Sequence, residues 1–226
     1  LPTTPRRLLV TAQNLYVSGD AVVSIYRRDP VSGLPVHDVQ FGANMPAAPA
    51  AMAVSTTDAL LFVASSTDND IAAFTINTTA GAIPLGRLTA RAALLTDVDV
   101  NSATDLVVAP AERHLYVASG AAGKLAMLGY TTTSLSKVFT YADPVAGAPD
   151  PLAGSLHLAL APDGEHLLVA GNGGYLLRYR RDVFAGGLSF EQQLATDASN
   201  PGLAGAAGIV VSSDGRHVLI ASASTS

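Results

Sequence analysis

Apolar and polar residues alternate along the chain in short runs separated by turn-forming residues, and the runs come in pairs. Aligned on the second strand of each pair, they read "LLVTAQNLYVSG", "MAVSTTDALLFVAS", "LVVAPAERHLYVAS", "LALAPDGEHLLVAG" and "IVVSSDGRHVLIAS". Alternation with a period of two predicts strands, and paired strands predict hairpins. The anchors Val17, Val63, Val117, Val169 and Ile220 lie 46, 54, 52 and 51 positions apart, close to the period of four-stranded propeller blades. Long stripes at a 3.6-residue period, the mark of helical repeats, are missing.

The first hairpin is two residues shorter than the others. The loss is even, so the apolar set keeps its face. "PDGE" and "SDGR" put Asp-Gly where a tight reversal needs positive φ, with Pro162 suited to the turn entrance. Each hairpin is followed by a third strand ("AVVSIYRRD", "DIAAFTIN", "KLAMLGYT", "YLLRYRRD") rich in β-branched and aromatic residues. A more variable fourth strand follows ("GLPVHDVQ", "AIPLGRLT", "LSKVFTYA", "GLSFEQQL") and reads as an outer edge. The predicted fold is an all-β propeller of four-stranded antiparallel blades, about four and a half in number, spanning residues 6–42, 50–92, 104–143, 155–196 and 207–226. The ring reads as unfinished, part of a seven-bladed ring whose remaining strands come from further sequence or from another chain. A self-contained five-bladed or open array is the alternative.

Composition narrows the function. Nearly half of the 226 residues are apolar, enough for an extensive core. The net charge of -5 and the scattered arginines argue against nucleic acid. The pairs Arg6/Arg7, Arg27/Arg28 and Arg180/Arg181 read as solvated surface. There is no cysteine, hence no thiolate nucleophile, disulfide or Cys-based zinc site. No apolar run reaches the roughly 18 residues of a membrane span. The segment from Leu1 has neither an initiator Met nor a signal-peptide layout, and the chain reads as a mature product or fragment. High Ala, Thr, Ser and Gly with few Lys suits a bacterial exported protein, periplasmic or secreted.

Residues 155–194, "SLHLALAPDGEHLLVAGNGGYLLRYRRDVFAGGLSFEQQL", carry His157 before the inner strand, "PDG" at 162–164, "LLVA" at 167–170, the "LLRYRRD" strand and a "GGL" turn. This stretch resembles a blade of the lactonase-type seven-bladed propellers, the group that includes bacterial 6-phosphogluconolactonase. Blade two resembles it more loosely. The resemblance implies a lactone-hydrolysing site in the central funnel, built from Arg, His and Glu side chains at inner-strand ends. His157 occupies a matching place. Ser155 and Leu156 stand where a neighbouring Arg is expected, and "GNGG" follows "LLVA" without a Glu.

His157 is therefore the candidate catalytic residue, a general base or carbonyl polariser; filling a semi-buried gap is the structural alternative. His114, His166 and His217 follow turns and read as structural or solvent-facing, and His37 lies on an outer strand. No HxH or HExxH spacing occurs, so no metal site is predicted from histidine. The loops contribute a candidate ligand or partner surface: Asn44, Asp68, Asn69, Asp70, Asp97, Asp99 and Asn172. Two of its clusters, "STDNDIA" and "TDVDVNSATD", could begin a calcium site, but both lack the closing Glu and Gly. "GNGG" opens no helix and is a poor phosphate cradle, and "NTT" at 77–79 forms a glycosylation triplet. The inter-blade linkers are rich in Pro, Gly and Ala and suit a protein or carbohydrate partner. The leading expectation is a non-catalytic binding or scaffolding module; the other is a lactonase-like hydrolase acting on a sugar lactone, with its site completed by blades outside this chain.

Overall fold

The structure, a computed structural model, describes residues 4–57, 59–79, 81, 85–110, 113–142, 150–154, 156–197 and 201–223. The described residues form five antiparallel sheets in chain order. The first holds β1 (Arg7–Val10), β2 (Asn14–Gly19), β3 (Val22–Arg28) and β4 (Pro35–Phe41). The second holds β5 (Pro49–Val54), β6 (Leu60–Ser65), β7 (Asp70–Ile76) and β8 (Leu88–Thr96). The third holds β9 (Ala103–Val108), β10 (His114–Ser119), β11 (Lys124–Tyr130) and β12 (Leu135–Tyr141). The fourth holds β13 (Leu156–Leu160), β14 (His166–Gly171), β15 (Tyr175–Arg181) and β16 (Leu188–Ala195), and the fifth only β17 (Ala206–Val211) and β18 (Val218–Ser222). The innermost strands β1, β5, β9, β13 and β17 lie side by side in that order. They define the axis of a β-propeller.

Three apolar clusters fill the spaces between successive sheets. Tyr16, Val23 and Ile25 pack on Met52, Leu61, Val63 and Phe74 between the first and second. Phe62, Ile71 and Leu60 meet Leu115, Val117 and Leu128 between the second and third. Tyr116, Leu125 and Met127 meet Leu156, Leu167 and Val169 between the third and fourth. The second sheet is covered on both faces, and every residue of β6 is buried.

Each anchor pairs with a fixed partner: Val17 with Leu8, Val63 with Met52, Val117 with Leu106, Val169 with Leu158 and Ile220 with Ile209. The shortened first hairpin thus keeps its register. The Asp-Gly turns close as expected: Gly164 and Gly215 both have φ of 71°, and their N–H groups donate to Ala161 and Ser212. The fourth strand of the second sheet lies later than residues 82–89 suggest. β8 runs to Thr96 because Ala93 and Leu95 pair with Ala73 and Ile71 and pack against the core beneath them; residues 82–84 lie outside the described residues. The two paired arginines Arg7 and Arg181 depart from the solvated reading. Arg181 is buried at 2% exposure, since alternation along β15 turns Arg180 out and Arg181 in.

Tyrosines lock two of the sheet boundaries. Tyr16 donates its hydroxyl to the Gly86 carbonyl at 2.8 Å, and Tyr116 donates to Gly186 at 2.5 Å. Both glycines have positive φ, 82° and 76°, in the turn before the next sheet's outer strand. Arg181 Nε donates to the Tyr116 oxygen at 2.9 Å. At the first boundary the Arg87 guanidinium grips Asp38 in bidentate fashion at 2.7 Å and holds that carboxyl below the usual carboxylate range.

Two stability measurements follow. Tyr116→Phe leaves both Arg181 Nε and the Gly186 carbonyl without this partner, so it should lower stability by about 2 kcal/mol in denaturant titration, against about 1 kcal/mol for Tyr16→Phe. The β2–β3 reversal places two non-glycine residues, Asp20 and Ala21, at φ of 51° and 57°. That is the two-residue hairpin turn that favours Asp-Gly. Ala21→Gly should raise stability by about 0.5 kcal/mol, the relief of left-handed strain outweighing the added freedom of the unfolded chain, read as a higher thermal midpoint.

Candidate functional site

Stacking the sheets brings one register position of every inner strand together. The residues opposite Ser18, Ala64, Ala118, Ala170 and Ala221 on the second strands are Arg7, Ala51, Asp105, His157 and Gly208. Each stands near the start of its strand, so all five lie at the same mouth of the axis. Three of them are ionisable. Arg7 reaches across the sheet that carries Ala51 and donates Nη2 to Asp105 Oδ1 at 2.6 Å. Asp105 Oδ1 also accepts the Leu106 N–H at 2.9 Å, and Oδ2 accepts the Leu158 N–H at 3.0 Å. Leu158 belongs to an innermost strand whose axial edge has no hydrogen-bonded strand among the described residues, so this carboxylate supplies an acceptor that the sheet does not.

His157 Nδ1 lies 4.0 Å from Asp105 Oδ2. The atom is buried and has no hydrogen-bond partner, while the side chain keeps 13% exposure. Burial pushes the imidazole below its ordinary pKa; Asp105 opposes that shift and Arg7 adds to it. The group is thus a neutral base at the mouth of the axis. A cavity of about 560 Å³ continues from Arg7 along the inner strands, lined by Leu9, Ala53 and Leu106 among others.

Histidine at 157 was legible from its place in the hairpin. Arg7 and Asp105 were missed, and Arg7 had been assigned to solvent. The signal was present: stepping back twelve positions from the last four anchors, and ten in the shortened first hairpin, lands on all five positions. Ser155, where an arginine was sought, lies outside the described residues, and Leu156 is buried in the core. An arginine reaches this mouth from the first sheet.

The loop residues share this face, because linkers and the loops after each second strand both open there. Asp68 and Asn69 use their backbone carbonyls to accept the N–H groups of Ser102 and Asp97, tying the two acidic segments together. Asp70 accepts from the Thr96 hydroxyl at 2.6 Å. Asp97 and Asp99 flank a 3-10 turn at Val98–Val100 and are met by lysines. Lys124 donates to Asp99 at 2.5 Å, and Lys137 donates to Asp99 at 2.6 Å and to Asp97 at 2.8 Å. Those ammonium groups hold both carboxyls well below the usual range. They occupy the position a cation would take, and among the described residues no cluster of three or more His, Asp or Glu could hold a metal ion. Asn44 is exposed and accepts from Arg91 through its carbonyl, and exposed Asn172 accepts from the Gly205 N–H. His166 binds Asp163 at 2.9 Å, and His37 stacks edge-on against Tyr26. No helix of the described residues is long and apolar enough to cross a membrane.

The class is that of four-stranded β-propeller blades, and comparison with solved structures narrows it. The chain superposes on a candidate 6-phosphogluconolactonase of Bacteroides uniformis with a TM-score of 0.75 at 13% identity, covering 98% of this chain and 64% of that one. A candidate 6-phosphogluconolactonase of Bacteroides fragilis gives 0.72 at 15% identity, with coverage of 98% and 64%. The periplasmic gluconolactonase of Pseudomonas aeruginosa gives 0.58 at 17%, with 96% and 78%. The chain therefore has the fold of the lactonase-type propellers and spans 64% of the length of the two Bacteroides structures. No protein-family model matches it, and no curated protein matches it by sequence.

Acid stability reports on His157. Its folded-state pKa lies below the ordinary value of 6.5, so the unfolded chain takes up the proton first as pH falls. Stability is fully present above about pH 6.5 and is lost as pH drops through the folded value. His157→Gln should flatten the stability–pH curve below about pH 6.5, measured by urea denaturation.

Proposed function

We propose that the protein is a lactone hydrolase acting on a sugar lactone at the axial mouth, with His157 as its base. The observation that carries this reading is the neutral, half-buried imidazole beside the Arg7–Asp105 pair at the mouth of the axis. In the reaction His157 takes a proton from a water whose oxygen attacks the lactone carbonyl. The carbonyl–ring oxygen bond then breaks, the ring oxygen takes up the proton, and an open-chain hydroxy acid leaves. Arg7 supplies positive charge near the developing oxyanion while Asp105 holds it in place. The names of the Bacteroides and Pseudomonas proteins support a sugar lactone as the substrate class. The periplasmic setting of the Pseudomonas protein supports an extracytoplasmic location.

A non-catalytic module binding protein or carbohydrate at the loop face is the second reading. It is favoured by one observation: both oxygens of Asp105 are already engaged, by Arg7, Leu106 and Leu158. Under either reading the outer edge of β18, which has no second strand neighbour among the described residues, is where a strand from further sequence or another chain would pair.

The natural full-length protein, assayed by acid release from glucono-δ-lactone and its 6-phosphate, separates the two readings. His157→Ala should lower kcat/KM about 100-fold or more with little change in thermal midpoint. Turnover equal to wild type, or no turnover above the spontaneous rate in wild type, would sink the hydrolase.

A further inference from the structure

On the face opposite His157, the boundary between the first and second sheets repeats the one between the third and fourth, with one replacement. Tyr16 and Gly86 correspond to Tyr116 and Gly186, and the first residues of β2 and β10, Asn14 and His114, lie under the two glycines. A Cβ on Gly86 would fall 1.7 Å from Asn14 Nδ2, and one on Gly186 would fall 2.5 Å from His114 Nδ1. At the third–fourth boundary the last residue of β15 fills the remaining space. Arg181 donates to the Tyr116 hydroxyl at 2.9 Å, to the Gly164 carbonyl at 2.9 Å and to the Val183 carbonyl at 3.3 Å. The last residue of β7 is its counterpart, and it is Ile76.

Where that guanidinium would sit, the first–second boundary has a cavity of about 230 Å³, lined by Asn14, Tyr16, Thr57, Ile76, Thr78 and Gly86 among others. Asn14 is 3% exposed, and its carboxamide oxygen is buried without a hydrogen-bond partner. A buried acceptor with no donor calls for an explanation in a folded protein. A second cavity of about 270 Å³ shares Gln13, Asn14 and Leu85 with it and adds Arg27 and Arg28. Donors are thus wanted at the inner end, and two guanidinium groups stand at the outer one, Arg27 at 3.6 Å from Asp38 and Arg28 donating to the Ala12 carbonyl at 3.4 Å.

We propose that this pair of cavities binds an arginine-type amino acid. Its guanidinium takes the place that Arg181 holds at the other boundary, donating to Asn14 Oδ1, and its carboxylate meets Arg27 and Arg28. Shape and charge both require this polarity, since a cation without a carboxylate would face two guanidinium groups at the entrance. The site is independent of lactone hydrolysis.

Calorimetric titration of the protein with L-arginine, agmatine and L-citrulline tests it. L-Arginine should bind saturably with Kd of about 1 mM. Agmatine, which lacks the carboxylate, should bind about tenfold more weakly, and L-citrulline, which lacks the charge, should show no saturation. Asn14→Asp should tighten L-arginine about tenfold. Ile76→Arg should fill the cavity from within, abolish L-arginine binding and leave the thermal midpoint at or above that of wild type. The proposal is overturned by absence of L-arginine binding to wild type, by L-citrulline or agmatine binding as tightly, or by a folded Ile76→Arg protein that still binds. Should Ile76→Arg not fold, the Asn14→Asp titration decides, and an unchanged affinity counts against the site.

Discussion

The covering of sheets that are apolar on both faces governs this molecule. A strand pair can satisfy its backbone within one sheet, but side chains such as Phe62, Leu61 and Phe74 project to opposite sides and need a neighbour on each. Stacking successive sheets around an axis meets that need with short connections, and each boundary then acquires its own cluster. The chemistry at the mouth is a by-product of the same geometry. Because every inner strand enters the axis in the same direction and register, residues about 50 positions apart become neighbours. Arg7 and Asp105 meet across the sheet between them because its residue at that level is only Ala51.

Much of this was readable from local pattern. Hairpins, third strands and Asp-Gly turns depend on neighbours in sequence, so alternation and turn chemistry suffice. The outer strand of the second sheet was misplaced because "AIPLGRLT" reads as one strand, whereas Gly86 makes the turn at φ of 82° and pairing with β7 selects the later run from Leu88 through Ala93 and Leu95 to Thr96. The candidate site was half legible. His157 stood out by position, but the meaning of Arg7 and Asp105 depends on a contact spanning 98 positions, which no single hairpin reveals. The acidic loops were legible as incomplete cation sites, but not for what meets them. Asp97 and Asp99 meet Lys124 and Lys137, one on the third strand and one on the outer strand of the third sheet, contacts that span 25 to 40 positions.

Polar groups at the boundaries show a division of labour. At the first–second and third–fourth boundaries a tyrosine hydroxyl reaches a glycine carbonyl of the next sheet. The corresponding residue of the second sheet, Phe62, has no hydroxyl and instead sets its ring edge-on to Tyr130 at 4.8 Å. Directional bonds at those two boundaries thus flank ring packing at the one between them.

Tyr16 and Tyr116 are 100 positions apart, as are Gly86 and Gly186, so the latch at the first boundary recurs two sheets on, at the third. The smallest transplantable piece of this scaffold is accordingly a doublet. A lone sheet spliced into the array would carry a hydroxyl with no carbonyl to meet or a glycine with no phenol above it, whereas two consecutive sheets bring lock and keeper together.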